Sequence, residues 1–166
     1  MSQVLIGVDI TSTPSDSTTS DVRFENGVRD HRLGIIHEDH RGYKYQLVHA
    51  NGAITQYAAV SIDEAFEATM ITDTLAKTGK PVGVAQVAFA DNDYGWVLRQ
   101  GQGSVLVLAN CAADVGLYSS ASAGYLDDGT ASLTLISGII ADASTSAAGA
   151  VACTVGVEAL PKLPGN

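Results

Sequence analysis

Residues Pro81–Asp128, PVGVAQVAFADNDYGWVLRQGQGSVLVLANCAADVGLYSSASAGYLDD, form the stretch that decides the fold. It contains apolar runs of strand length at Val82–Phe89, Trp96–Leu98 and Val105–Ala109. Clusters of Gly, Asn and Asp separate these runs, and such clusters are typical of turns. The stretch therefore predicts a mainly β fold, a compact β-barrel or β-sandwich, to which the rest of the chain adds one short helix and an extended N-terminal arm.

The charge of the chain excludes one class of partner. Its 166 residues, enough for about one domain, carry a net charge of −9 from 9 basic and 18 acidic residues. Binding nucleic acid through phosphate contacts needs a basic face, so we expect no direct nucleic-acid binding. No apolar run is long enough for a membrane helix. The first residues lack the basic region of a secretory signal, which indicates a cytosol-like compartment.

The second half of the chain is poor in charge. Between Pro81 and Pro161 the sole basic residue is Arg99, accompanied by seven acidic residues. Two interpretations remain open. Either Ser, Thr and Gly cover this surface, or much of it is buried against other subunits, because interface cores are depleted in charged residues.

The sequence divides into an extended N-terminal arm, residues 1–30, and a single β-rich domain, residues 31–166. Thr11–Ser20 is polar, low in complexity and too poor in apolar residues to form a core. The arm is either a loose terminus or a segment that becomes ordered on a neighbouring subunit. In the second case, its candidate interface residues are Val4, Leu5 and Ile6.

Local patterns predict a hairpin and a helix in the first half of the domain. Asn51-Gly52 is a strong signal for a two-residue turn, which predicts a hairpin between Tyr43–Val48 and Ala53–Val60. Ser61 followed by Glu64 has the pattern of a capping box, which predicts a helix over about Ile62–Met70. The segment from Thr72 to Gly79 would then be a loop.

Tyr94-Gly95-Trp96 contains the single tryptophan of the chain. Large aromatic residues in a strand pack the core, and they are also favoured at protein interfaces, so both roles remain open for this pair. As interface candidates we therefore add Tyr94 and Trp96. We expect Cys111 and Cys153, each in an Ala- and Val-rich setting, to be small buried thiols; no pattern supports a disulfide between them.

No motif indicates catalysis, a cofactor or a metal. His37 and His40 are three residues apart, whereas the H-E-x-x-H zinc motif needs a spacing of four, so a polar loop is favoured. Gly101-Gln102-Gly103 lacks the third glycine and the helix of a dinucleotide fingerprint, and it predicts a turn between two strands. Asp127-Asp128-Gly129 could bind a cation together with carboxylates from elsewhere in the chain, but Asp-Gly favours a hairpin turn. We expect no catalytic, cofactor-binding or metal-binding residues and no enzyme activity.

One pattern of residues extends over about Arg41 to Ala159, most of the chain. It consists of Tyr45, Ala50-Asn51-Gly52-Ala53-Ile54, Ser61-Ile62-Asp63-Glu64-Ala65, Val82-Gly83-Val84-Ala85, Tyr94-Gly95-Trp96-Val97 and Gly124-Tyr125-Leu126-Asp127-Asp128. In this pattern the chain resembles small head proteins that decorate, or cement, the capsids of tailed bacteriophages.

The resemblance implies a β-rich, non-catalytic subunit that forms a homotrimer and binds across major capsid protein subunits on the outer surface of the virion, after synthesis in the host cytoplasm. In that setting the arm would reach across a capsomer boundary. Two rivals remain: a small β-barrel module that binds a glycan or other ligand at loops such as Asp91–Asp93 and Asp127-Asp128, or another minor virion protein. A metal-dependent enzyme that uses His37 and His40 is a third, weaker alternative.

Overall fold

The computed structural model describes residues 33–129 and 133–156, which contain ten strands and one helix. The elements are β1 Ile36–Glu38, β2 Lys44–Ala50, β3 Ala59–Ile62, β4 Glu67–Met70, α1 Asp73–Ala76, β5 Val82–Ala85, β6 Tyr94–Val107, β7 Val115–Ser119, β8 Leu126–Asp127, β9 Leu135–Ala141 and β10 Gly149–Val155. The predicted mainly β barrel with one short helix is confirmed. The predicted arm, residues 1–30, lies outside the described residues.

The first half of the domain is a closed five-stranded barrel. Its strands follow the order β2-β4-β3-β5-β6, and β6 returns to pair antiparallel with β2, for example at Leu47↔Trp96. Alternate strand residues fill one apolar cluster, which includes Val48, Val60 and Val97. This period of two follows from the pleat, which points successive side chains to opposite faces. Closure leaves these five strands with few unpaired edges.

A second ring of strands shares β6 with the barrel. β10 pairs with the second half of β6, from Gly149↔Val107 to Val155↔Gly101, and β9, β7 and β8 follow in order. β8 then closes the ring through one parallel pair, Val107↔Leu126. A second apolar cluster joins the two rings, because it contains Trp96 and Leu98 from the first half of β6 together with residues of β7, β8, β9 and β10.

The predicted turn at Gly101–Gly103 is wrong, because these residues lie inside the single long strand β6. Gly101 has φ +123°, a conformation that L-residues rarely adopt, and the strand passes there from one ring to the next. A Cβ at Gly101 would lie 2.5 Å from the Tyr43 ring. The glycines therefore allow a change of direction without ending the strand, as glycine does at barrel corners.

The predicted helix over Ile62–Met70 is also wrong, since this segment forms the hairpin of β3 and β4. The Asp63 carboxylate accepts hydrogen bonds from the N–H groups of Ala65 (2.9 Å) and Glu67 (2.8 Å), which stabilises a tight turn. The observed helix, α1, lies in the segment predicted as a loop. Thr72 caps it by accepting a hydrogen bond from the Leu75 N–H at 3.4 Å.

Asn51-Gly52 does not produce the predicted hairpin, because β2 pairs with β1, β4 and β6 but not with β3. The backbone groups of the turn find distant partners instead. The Asn51 N–H donates to the Ala68 carbonyl (2.9 Å), and the Gly52 N–H donates to the Asp91 carboxylate (2.8 Å). Contacts remote in sequence thus determine the path of the chain after β2.

The carboxylate of Asp73 connects α1 to the second ring. It accepts a hydrogen bond from the buried Ser119 hydroxyl at 3.0 Å and pairs with the Lys77 ammonium at 2.6 Å. The hydrogen bond from Lys77, followed by that from Ser119, lowers the pKa of Asp73. The ionised form is therefore the one that the folded protein stabilises.

We expect replacement of Asp73 by asparagine to lower the free energy of unfolding at neutral pH. A carboxyl whose pKa is lowered on folding stabilises above its unfolded pKa of about 3.9, and this contribution is lost as the pH falls through the folded-state pKa. Urea denaturation of both proteins between pH 7 and pH 2.5 measures the difference. The difference between their free energies of unfolding should be constant above about pH 5 and should disappear in acid. A gap that is independent of pH would contradict this account.

Candidate partner-binding surface

Three large apolar side chains are exposed beside β1. The exposed fractions are 39% for Ile35, 55% for Ile36 and 36% for Phe66. β2 aligns them, because the Leu47 N–H donates to the Ile35 carbonyl and the His49 N–H donates to the Phe66 carbonyl, both at 3.0 Å. We call Ile35, Ile36 and Phe66 the β1 strip. Contiguous apolar groups on a surface are typical of contact sites.

Phe66 is held in the strip by an uncommon backbone conformation. Its φ is +63°, which is unfavourable for an aromatic residue, and it follows the turn that the Asp63 carboxylate organises. Its ring lies over Gly34, where any Cβ would overlap the ring. Backbone strain that keeps an aromatic side chain at the surface is common at binding sites, and it favours a contact role for Phe66.

β1 also presents an open edge. Among the described residues it pairs with β2 alone, at Ile36↔Gln46, His37↔Tyr45 and Glu38↔Lys44. An edge strand offers backbone N–H and C=O groups to another extended segment, which is the basis of strand addition. The His37 ring packs edge-to-face against Trp96, with centroids 5.5 Å apart, and so connects this edge to the core.

The interface candidates predicted from the sequence lie elsewhere. Tyr94 and Trp96 are in the core of the chain, 5% and 1% exposed, and Tyr94 stacks on His49 with ring centroids 4.6 Å apart. Little of either side chain is left for direct contact with a partner, although Trp96 supports β1 from below. The other candidates, Val4, Leu5 and Ile6, lie outside the described residues.

The histidines and aspartates that were candidates for a metal or ligand site lie in a strand and in turns of the fold. His37 lies in β1 and His40 in the exposed turn after it. No group of three or more metal-ligating side chains occurs in residues 33–129 and 133–156. In the loops weighed as ligand sites, Asp91 accepts a hydrogen bond from the Gly52 N–H, and Asp128 accepts one from the Ala112 N–H at 2.9 Å. These carboxylates therefore satisfy backbone donors.

The turn between β1 and β2 is built by Asp39. Burial raises the pKa of its carboxyl, but hydrogen bonds from the backbone N–H groups of Tyr43 and Arg41, together with the Arg41 guanidinium, hold it below its ordinary value. The Arg41 guanidinium is 2.9 Å from the carboxylate and stacks over the Tyr43 ring. This turn fixes where β1 leaves the barrel, and thus the position of the β1 strip.

Both cysteines are free and buried, with Cys111 1% and Cys153 0% exposed. Burial, followed by the charge of Asp142, raises the pKa of Cys153 to about 12. Burial, followed by the nearby charges of Asp128 and Asp127, raises that of Cys111. Because the thiolate is the reactive form, both thiols should be inert in the native protein.

We expect no reaction of the native protein with Ellman's reagent at pH 8, because neither thiol is accessible or ionised. In concentrated guanidinium chloride both of its cysteines should react. The absorbance of the released thiolate counts the reactive groups in each condition. Rapid labelling of either cysteine without denaturant would show that the packing around it is wrong.

The β1 strip could not be foreseen from the sequence, although part of its signal is present there. Ile35-Ile36 follows Gly34 and precedes a polar segment, and a short apolar run of this kind is typical of a strand. The capping-box pattern places Phe66 in a helix, so its position beside β1 has no local signal. The strip forms only because one edge of β2 hydrogen-bonds both to Ile35 and to Phe66, which are remote from each other in sequence.

Comparison with known proteins identifies no family for this chain. No protein-family model matches it, and no curated protein matches it significantly. The described residues contain no helix with the length and apolar character required to span a membrane.

Proposed function

We propose that this protein is a structural virion protein that decorates and cements a phage capsid by binding across major capsid protein subunits on the outer surface of the head. It does so without catalysis, as a homotrimer. The observation that carries the proposal is the β1 strip: an exposed apolar group beside an open strand edge, directly after the N-terminal arm. The resemblance in sequence to phage decoration proteins supports the same role.

The geometry of β1 suits attachment to a protein shell. An extended segment of the major capsid protein would pair with the open edge, and its apolar side chains would cover Ile36 and Phe66. Strand pairing provides affinity, while the side-chain contacts provide specificity. The rest of the fold supports a role under load, because two closed rings leave few unpaired edges and share a continuous strand.

Co-sedimentation with empty heads, assembled from the major capsid protein of the same phage, tests the attachment. We expect Ile36→Glu to weaken binding about tenfold or more, because a carboxylate would be desolvated at the interface. Leu135→Glu is the matched control, since Leu135 is also an exposed apolar residue, at 45%, but lies in the second ring. Equal binding by the two variants would overturn the role of the β1 strip.

The contribution of the arm is tested in the same assay by deleting residues 1–26. We expect weaker binding, because the arm would lose its contacts across a capsomer boundary, while the circular dichroism spectrum should keep its β signature. Unchanged binding by the shortened chain would exclude a role for the arm. Failure of the full-length protein to bind any heads would overturn the decoration function itself.

Light scattering at low micromolar concentration tests the homotrimer. We expect the mass of three chains of 17.1 kDa each. A monomeric mass in solution, together with binding to heads at one copy per site, would exclude the trimer.

A further inference from the structure

A pocket of about 440 Å³ lies between the beginning of β5, β9 and the end of β10, away from the β1 strip. This volume is within the range of small-molecule sites. Its lining includes the apolar residues Pro81, Val82, Ile139 and Val155 and the polar residues Arg99, Lys80, Thr134 and Ser137. The pocket thus combines apolar groups with positive charge.

Arg99 reaches the pocket through a β-bulge. Lys44 pairs with Gln100, and the next residue, Tyr45, pairs with Leu98, so Arg99 is the extra residue in β6. Bulges redirect a side chain and are common beside functional sites. Gly156 packs against the same residue, since it approaches the Arg99 carbonyl so closely that a Cβ would overlap it.

The guanidinium of Arg99 is half-buried without an acidic partner. It donates to the Gln46 side-chain carbonyl at 3.1 Å, a neutral group. No carboxylate lies within salt-bridge distance of it in residues 33–129 and 133–156. Burial lowers the pKa of Arg99, although an arginine remains charged. Within the described residues, the one side-chain hydrogen bond of this partly desolvated cation goes to a neutral group, so an anion in the pocket would stabilise it.

Lys80 does not fill this role. Its ammonium pairs with Glu64 at 3.3 Å, so its charge is already partly compensated. Glu64 is 85% exposed and points the pair toward solvent. The uncompensated positive charge of the pocket is therefore that of Arg99.

We propose that this pocket binds a carboxylate carried on a small apolar body, with the Arg99 guanidinium holding the two carboxylate oxygens. The planar guanidinium matches a carboxylate through two parallel hydrogen bonds. The apolar lining residues contact the remainder of the ligand. A small organic acid and the chain end of a peptide share this chemistry. The proposal is independent of capsid binding.

Titration followed by ¹H–¹⁵N NMR tests the site with three probes. Hexanoate stands for a small organic acid, N-acetylleucine for a peptide chain end, and acetate for charge alone. We expect saturable shifts of the Ser137, Gly138 and Gly156 amides, with hexanoate or N-acetylleucine bound about tenfold more tightly than acetate because their alkyl groups are buried. The stronger of these two probes distinguishes the two sources.

Two arginine variants show whether the shifts belong to this site. Arg99→Gln should weaken binding about tenfold or more, because it removes the charged hydrogen bonds. Arg41→Gln, which removes an exposed arginine from the turn before β2, should leave binding unchanged. Shifts that do not saturate, or that are the same in Arg99→Gln, would overturn the proposal.

Ser137→Glu provides a second test that does not require loss of Arg99. Ser137 is exposed and lines the pocket, so the new carboxylate should pair with the Arg99 guanidinium in place of the ligand. Hexanoate binding should therefore weaken about tenfold. It should also raise the melting temperature in the wild-type background but not in Arg99→Gln. Unchanged hexanoate affinity in Ser137→Glu would contradict a site centred on Arg99.

Discussion

Replacing Trp96 by alanine is expected to lower the free energy of unfolding by about 3–5 kcal/mol. Trp96 is 1% exposed and belongs to the apolar cluster that joins the two rings. Its loss would leave a cavity that neighbours such as Leu98 cannot fill, since they lie in the same closed strands. Domains have a total stability of about 5–15 kcal/mol, so this one change removes a large part of it.

Urea denaturation followed by far-ultraviolet circular dichroism measures this loss, because Trp96 is the single tryptophan and its removal abolishes that fluorescence. Trp96→Phe should cost less, since the smaller ring leaves a smaller cavity. Tyr118→Ala is the control for loss of an aromatic residue that is only partly buried in β7. Similar losses for Trp96→Ala and Tyr118→Ala would show that Trp96 is not central to the core.

Gly101→Ala is expected to cost about 3 kcal/mol, a large effect for one added methyl group. The φ of +123° is strained for any residue with a Cβ, and the added carbon would meet the Tyr43 ring at 2.5 Å. The strand would have to straighten, which would disturb pairing with β2 on one side and with β10 on the other. We therefore expect both rings to lose stability together.

The matched control for Gly101 is Gly149→Ala in β10, where a Cβ would meet nothing within 4 Å. This change should alter the free energy of unfolding by less than about 0.5 kcal/mol. Urea denaturation gives both values. If Gly101→Ala were as mild as Gly149→Ala, the bend in β6 would not depend on glycine at that position.

The fold class could be predicted from the sequence because apolar runs of strand length recur throughout it. The points at which strands end could not be predicted in the same way, because a pair of glycines is equally compatible with a turn between two strands and with a bend inside one strand. In β6, Gly101 and Gly103 allow a bend. The strand continues through them because they pair with β10, about fifty residues later in the chain. Such long-range pairing leaves no local signal.

The helix was misplaced because a helix cap and a tight turn use the same side-chain chemistry. Ser61 and Glu64 fit a capping box, yet it is Asp63 that accepts the backbone N–H groups and turns the chain. Pairing of β3 with both β4 and β5 then outweighs the local helical pattern. The β1 strip could not be foreseen because it also depends on long-range pairing: Ile36 and Phe66 come to one surface only because their segments both pair with β2.

The shared strand has a consequence during synthesis of the protein. The partners of β6 in the first ring, β2 and β5, precede it, whereas its partners in the second ring, β8 and β10, follow it. A nascent chain that has emerged as far as Val107 can close the barrel, but it holds half of β6 with neither neighbour available. Unpaired apolar strands of this kind favour aggregation. The rate at which the ribosome delivers β10 therefore sets how long the newly made protein remains open to wrong partners.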